Sequence, residues 1–340
     1  MTAMTDRPRR ATLGRAVAAA GAVALAAVGV SGCSWRAETP PPDWPSPDTT
    51  TVTRDAAAER EQAVIDAVSP FTAAATAQAH VLAELEAVAA PVRLDALGGV
   101  YVAYPDASPS PSPSGDWTAQ DMPNPTEAVA SARDGHLADG LTTEDPDLAA
   151  LLRSAGLSQA LSDWFAVWVE DRISSAELAV VEERSLSSAS LPHASPVPES
   201  TAMPTATVAE LALAHDQARY AYEVMAASAS GDERDTWLQR RDLQAARASA
   251  LAAQPGVEDP RSATYTLLLD DYRDHDARLS TAVALENGLG ATYAGLALGA
   301  RPDEVPWLLN AAFDAYAQAA AFGEPSAAAW TVPALPGIDS

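Results

Sequence analysis

The chain contains no lysine: all of its basic residues are arginine, and only 21 of them stand against 46 acidic residues. Without lysine there is no P-loop lysine, no Schiff-base enzyme and no Ser-x-x-Lys acylase. The net charge of −25 argues against nucleic acid as a partner, because that affinity rests on cationic groups neutralising phosphates. Cysteine occurs once, at Cys33, so no intramolecular disulfide can form. Aromatic residues make up only 6% of 340 residues. No Gly-x-Ser-x-Gly, Cys-x-x-Cys or Gly-x-Gly-x-x-Gly motif is present. What the chain has in abundance is alanine, a composition that favours closely packed helices.

The N-terminus reads as an export signal. Arg7, Arg9, Arg10 and Arg15 precede an apolar run from Ala16 to Val30. At 1.5 Å per residue this run of about 15 residues is too short to span a bilayer. It suits the apolar region of a signal peptide. The run ends in Val30-Ser31-Gly32-Cys33, which resembles a bacterial lipobox. Small residues there admit the peptidase to the backbone, and the Cys33 thiol is the acylation nucleophile. The expectation is a signal peptide over 1–33 and a diacylglyceryl group on Cys33. The mature protein is then exported and anchored to the outer face of the cytoplasmic membrane. Arg9-Arg10 with Leu13 leaves both the general secretory and the twin-arginine routes open. Removing four arginines and one aspartate with the signal takes the net charge from −25 to −28. Such a body gains nothing from anionic headgroups, so attachment falls to the acyl chains.

Beyond Cys33, residues 34–53 carry Pro40, Pro41, Pro42, Pro45 and Pro47 and read as an extended tether. Residues 54–187 read as an N-terminal helical region. Its expected helices cover about 54–68 and 70–90, with a short extended piece at 94–104 and a flexible loop at 105–125. Helical periodicity resumes near Thr126 and after Asp145-Pro146. It is strongest from Leu157 to about Leu186, along Leu161, Phe165, Val169, Ile173, Ala176 and Val180. Trp164 and Trp168 extend that face, as core or as an aromatic ligand platform. After a Pro-rich linker at 188–204, four helices are expected at 205–229, 232–253, 272–299 and 302–322, followed by a Pro-rich tail at 323–340. The fold class is therefore all-α, with an antiparallel four-helix bundle over 205–322.

Heptad spacing turns specific polar residues inward. The first bundle helix presents Val208, Leu211, His215, Ala218, Tyr222 and Met225. The third presents Leu279, Val283, Glu286, Gly290, Tyr293 and Ala297. The second offers Leu238, Asp242, Ala245, Ser249 and Ala252, with Arg241 adjacent. The fourth reads Val305, Leu308, Ala312, Ala315, Ala319 and Phe322, without a polar member. His215, Tyr222, Arg241, Asp242 and Glu286 thus form a candidate interior cluster. It is an ion-pair network holding helix register, a site for one metal ion or small ligand, or a set that a different helix phase turns to the surface.

Ala214-His215, Tyr220-Ala221-Tyr222, Arg240-Arg241-Asp242-Leu243, Leu285-Glu286-Asn287-Gly288 and Val332-Pro333-Ala334-Leu335-Pro336-Gly337 resemble the ferritin-like "domain of unknown function 4439" family of actinobacteria, over about residues 205–340. The resemblance implies a ferritin-like four-helix bundle in an exported or lipid-anchored protein, with no established activity. Where that pattern has a glutamate before the histidine of the first helix, this chain has Ala214.

A di-iron carboxylate bundle needs Glu-x-x-His on two of its helices. The residues three before His80, His136, His193, His215 and His275 are Ala77, Arg133, Ser190, Ala212 and Tyr272, so that centre is not expected. Asp270 to Asp276 lacks the glycine and terminal glutamate of an EF-hand loop and reads as an acidic helix N-terminus. His80 with Glu84, and Asp271 with His275, are i, i+4 pairs suited at most to weak surface metal binding. The expected role is a lipid-anchored envelope protein that binds an envelope protein partner or serves a structural purpose. The alternative is a degenerate ferritin-like protein binding one metal ion or small ligand.

Overall fold

In the computed structural model, residues 46–69, 76–101, 124–174, 183–186, 188–268 and 272–338 are described. Cys33 and the signal region lie outside them. The described residues are helical with no strand, so the chain is all-α. The helices are α1 Thr49–Val68, α2 Ala77–Ala96, α3 Pro125–Thr142, α4 Pro146–Ser174, α5 Thr205–Ser228, α6 Gly231–Ala252, α7 His275–Leu298 and α8 Val305–Phe322.

Side-chain caps fix several of the starts. Asp48 accepts from the Thr51 amide at 2.7 Å and opens α1 inside the expected tether. Thr76 accepts from Ala79 N at 3.2 Å, so α2 begins at Ala77 instead of 70; Pro70 lies outside the described residues. Asn124 and Asp145 cap α3 and α4, each followed by a proline in the first turn. Pro suits that position because its missing N–H would have no helical partner there. Asp274 accepts from Ala277 N at 2.9 Å, so the acidic run does open a helix, as its charge suggests.

Two expectations fail locally. Leu94–Ala96 continue α2 rather than forming an extended piece, and the helix stops only at Gly98 and Gly99, whose φ values of 88° and 77° suit residues without a Cβ. The expected helix from Leu157 to Leu186 is displaced towards the N-terminus: the helix begins at Pro146 and is described to Ser174, and residues 183–186 are non-helical; Ala176 and Val180 lie outside the described residues.

Residues 48–340 form one compact unit. In its first half, α3 packs along α4, α2 along α4, and α1 against both α2 and α3. In its second, α5 pairs with α6 and α7 with α8, and α5 meets α7. The halves join where α4 packs on α7 and α8. Leu157 and Leu161 of α4 accordingly share one apolar core with Leu211, Tyr293, Leu308 and Phe313. Helix α8 is therefore buried all around, every residue but Ala320 included, as its nearly unbroken apolar sequence allows.

Arg153 of α4 fastens this junction. Its Nε donates to Gly140 O near the end of α3 (2.8 Å), and its Nη1 donates to the carbonyls of Ala297, Leu298 and Ala300 at the end of α7 (2.9–3.1 Å). One cation thus serves two helix C-termini, where the last carbonyls lack intrahelical donors and the macrodipole is negative. The linker is held by Glu304, which accepts from Thr201 Oγ1, Ala202 N and Trp307 Nε1. The tail buries Val332 and Leu335, and Ser154 of α4 donates to Pro336 O at 2.8 Å.

A polar cluster inside the C-terminal helices

His215, Tyr222 and Glu286 are all fully buried and are joined, directly or through one residue, into a single network. Tyr222 Oη donates to Glu286 Oε1 at 2.7 Å. Gln244 of α6 bridges the rest, its Nε2 donating to Glu286 Oε1 at 3.0 Å while its Oε1 faces His215 Nδ1. That orientation makes Nδ1 the protonated nitrogen, so Nε2 accepts from Tyr293 Oη at 2.7 Å.

Arg241 and Asp242 are absent from this network. They pair with each other at the surface, where the Asp242 side chain is 68% exposed. The inward stripe of α6 is Trp237, Arg240, Gln244, Arg247 and Leu251. It lies one position from the expected stripe, which is a rotation of about 100°. Arg240 takes the role expected of Arg241: Nε reaches Glu286 Oε1 at 2.7 Å, and Nη2 reaches Glu286 Oε2 at 2.6 Å and Asp314 Oδ2 at 3.0 Å. Arg247 Nη1 also reaches Asp314 Oδ2, at 2.9 Å.

Helix α8 does contribute polar groups. Its expected apolar stripe is buried, but Asn310, Asp314 and Gln318 are buried on another side. Spaced four apart, they form a row that holds the non-helical residues 183–186. Leu186 N donates to Asn310 Oδ1 (2.9 Å), Arg184 N to Asp314 Oδ1 (2.7 Å) and Arg184 Nη1 to Gln318 Oε1 (2.6 Å). Trp164 stacks on Trp168 and meets Phe313, Phe165 lies between Trp168 and Trp330, and Arg184 and Arg172 lie over the Trp164 and Trp168 rings. They are partly buried packing residues at the edge of the core.

A second buried cluster, missed in the sequence, lies among α1–α4. Arg93 donates through Nε to Glu61 Oε1 at 3.0 Å, through Nη2 to Glu86 Oε2, and through Nη1 to Ser158 Oγ at 3.2 Å. Gln159 Nε2 donates to Glu61 Oε1 at 3.1 Å and its Oε1 faces His136 Nδ1 at 3.0 Å. The relay His–Gln–Glu–Arg is therefore built twice: His136, Gln159, Glu61 and Arg93 in one half, His215, Gln244, Glu286 and Arg240 in the other. No sequence spacing reveals the repeat, because the four residues come from four helices in the first half and three in the second.

The electrostatics follow from burial and pairing. Burial, aided by Arg247 and Arg240, holds His215 down to about 3; burial with the nearby Arg60 and Arg93 holds His136 down to about 4. Burial would raise Asp314, but Arg240 and Arg247 bring it to about 2. Burial outweighs Arg93 at Glu61 and pushes it up to about 7. It also raises the Tyr222 and Tyr293 phenols.

These donor sets do not fit the di-metal centre of ferritin-like proteins. In the C-terminal cluster both oxygens of Glu286 and both nitrogens of His215 are engaged, and a guanidinium occupies the space between the carboxylates. Among the described residues no group of three or more His, Cys, Asp or Glu could hold a metal ion. Of the expected surface pairs, His80 Nε2 lies 3.2 Å from Glu84 Oε1, while His275 turns to Glu233 at 3.1 Å and Asp271 lies outside the described residues. No described helix is long and apolar enough to cross a membrane. Compared with known proteins, the chain matches no family model, no curated protein and no solved structure.

Proposed function

We propose that the chain is an exported lipoprotein, held at the outer face of the cytoplasmic membrane by a diacylglyceryl group on Cys33. Its ferritin-like helical body then serves as a non-catalytic binding or structural component of the cell envelope, meeting a protein partner there. The observation that carries the non-catalytic part is the saturation of Glu286 and His215 by Tyr222, Arg240, Gln244 and Tyr293. Side chains committed to one another in the buried interior hold helix register. The alternative, one metal ion or small ligand near His215, Asp242 and Glu286, loses a ligand to the surface and gains Arg240, whose charge repels a cation.

The anchor supplies the location. The apolar run before Cys33, the small residues beside it and the lone cysteine support acylation there. Metabolic labelling with an alkynyl fatty acid tests it: the wild-type chain should be labelled and sediment with membranes, and Cys33→Ser should lose both properties. An unlabelled wild-type product retaining Met1 would overturn the reading. Crosslinking from native membranes should then return a reproducible protein partner.

A further inference from the structure

The two buried relays are alike in connectivity and unlike in charge. The C-terminal one sets two arginines, Arg240 and Arg247, against two carboxylates, Glu286 and Asp314. A neutral His215 is satisfied on both sides, because Tyr293 donates to its Nε2. The side-chain atoms of those two arginines left without a partner, Arg240 Nη1 and Arg247 Nε, are donors.

The N-terminal relay sets one arginine, Arg93, against two fully buried carboxylates, Glu61 and Glu86. Its unpartnered atoms are acceptors, Glu61 Oε2 and Glu86 Oε1. The orientation of Gln159 requires a proton on His136 Nδ1, which leaves His136 Nε2 facing another acceptor, Ala57 O, at 3.5 Å. Among the described residues no hydroxyl stands where Tyr293 stands in the other half. The cluster lacks one positive charge and one hydrogen. Both deficits have the same remedy.

We propose that Glu61, whose Oε1 lies 3.5 Å from His136 Nδ1, is a proton-binding site that holds one exchangeable proton. The proton resides on the Glu61 carboxyl, because burial with Arg60 and Arg93 nearby keeps His136 neutral, and its affinity reflects the coupling of the two groups. Among the described residues the nearby cations other than Arg93 each face a carboxylate of their own, although Arg60 Nη1 has no partner. On α1, Arg60 is tied to Asp139 of α3 at 2.6 Å, and Arg133 of α3 is tied to Asp163 of α4 at 2.8 Å. On α2 the charged neighbours are Glu86 and Arg93, and α4 presents the neutral Gln159 and Ser158. The direction at Glu61, up to about 7, agrees with release near neutrality. A proton bound more tightly in the folded chain than in the unfolded one stabilises the fold at lower pH. That contribution is lost as pH rises through about 7. The N-terminal half is thus tighter in a mildly acidic medium than in an alkaline one.

The test uses the full chain at about pH 6 and about pH 8.5, bracketing the release. At the lower pH the infrared spectrum should show a protonated Glu61 carboxyl while ring-nitrogen NMR shows a neutral His136, and the carboxyl signal should vanish at the higher pH. Glu61→Gln should lack it throughout. Glu86→Gln, which balances Arg93 with a single carboxylate, should also lack it at about pH 6, and serves alone if the first variant does not fold. The wild-type unfolding midpoint should fall by several degrees across the interval relative to either variant. No carboxyl signal in the wild type, a signal surviving in the variants, or stoichiometric metal in the protein at about pH 6 would overturn the proposal.

Discussion

Arg240 grips Glu286 with two parallel hydrogen bonds, Nε to Oε1 at 2.7 Å and Nη2 to Oε2 at 2.6 Å, with both side chains fully buried. Fork-to-fork geometry of this kind is the strongest form of the pair. Removing either partner leaves an uncompensated charge in the core. Arg240→Ala should therefore cost about 3–5 kcal/mol in denaturant unfolding, whereas Arg240→Met with Glu286→Leu should cost much less. Alanine at the exposed neighbour Arg241 or Asp242 should change stability by about 0.5 kcal/mol or less. Equal losses at Arg240 and Asp242 would refute the assigned phase of α6.

Acid should destabilise the C-terminal half through His215. Its folded value is held down to about 3, whereas an unfolded histidine titrates near its ordinary 6.5. The unfolded chain therefore binds more protons across that window, and stability falls as pH drops from about 6.5 towards 3. In His215→Gln the slope of unfolding free energy against pH should flatten between those limits. An unchanged slope would place the acid sensitivity elsewhere.

Arg153 joins α4 to the ends of α3 and α7 through carbonyls alone. Hydrogen bonds from a charged donor contribute about 1.5–3 kcal/mol each when the partner would otherwise be buried unmet. Arg153→Met should destabilise by several kcal/mol and raise hydrogen exchange first at the ends of α3 and α7. Exchange rising uniformly along the chain, with no focus there, would contradict this role.

At Gly290 of α7 an added Cβ would sit 2.8 Å from the ring of Tyr316 on α8. The ring is packed and cannot retreat freely, so Gly290→Ala should overpack the α7–α8 contact and cost about 1–3 kcal/mol. The same change at Gly288, where nothing lies within 4 Å, should be neutral or slightly stabilising because alanine is the better helix former. Thermal unfolding of the two variants measures the difference directly.

The four C-terminal helices could be read from the sequence within a few residues, because amphipathic spacing and the breaks at Gly231 and Gly299 are local signals. His215, Tyr222 and Glu286 were legible for the same reason: each sits in an otherwise apolar stripe. Arg240, Gln244 and Arg247 were not, since they make the buried stripe of α6 more polar than the surface stripe beside it. Asp314 escaped notice because α8 is apolar all around, and one face cannot be told from another until α4 is placed against it.

Spacing, caps and composition thus determined that the chain is all-helical, where most helices begin and which faces of α5 and α7 turn inward. Only the tertiary structure decided which charges meet. A helix stripe specifies a direction, whereas an ion pair requires two helices to agree in rotation and height, and neither quantity is written in the sequence of either one. That is why the same His–Gln–Glu–Arg relay could be assembled twice from different helices, balanced in one half and one positive charge short in the other.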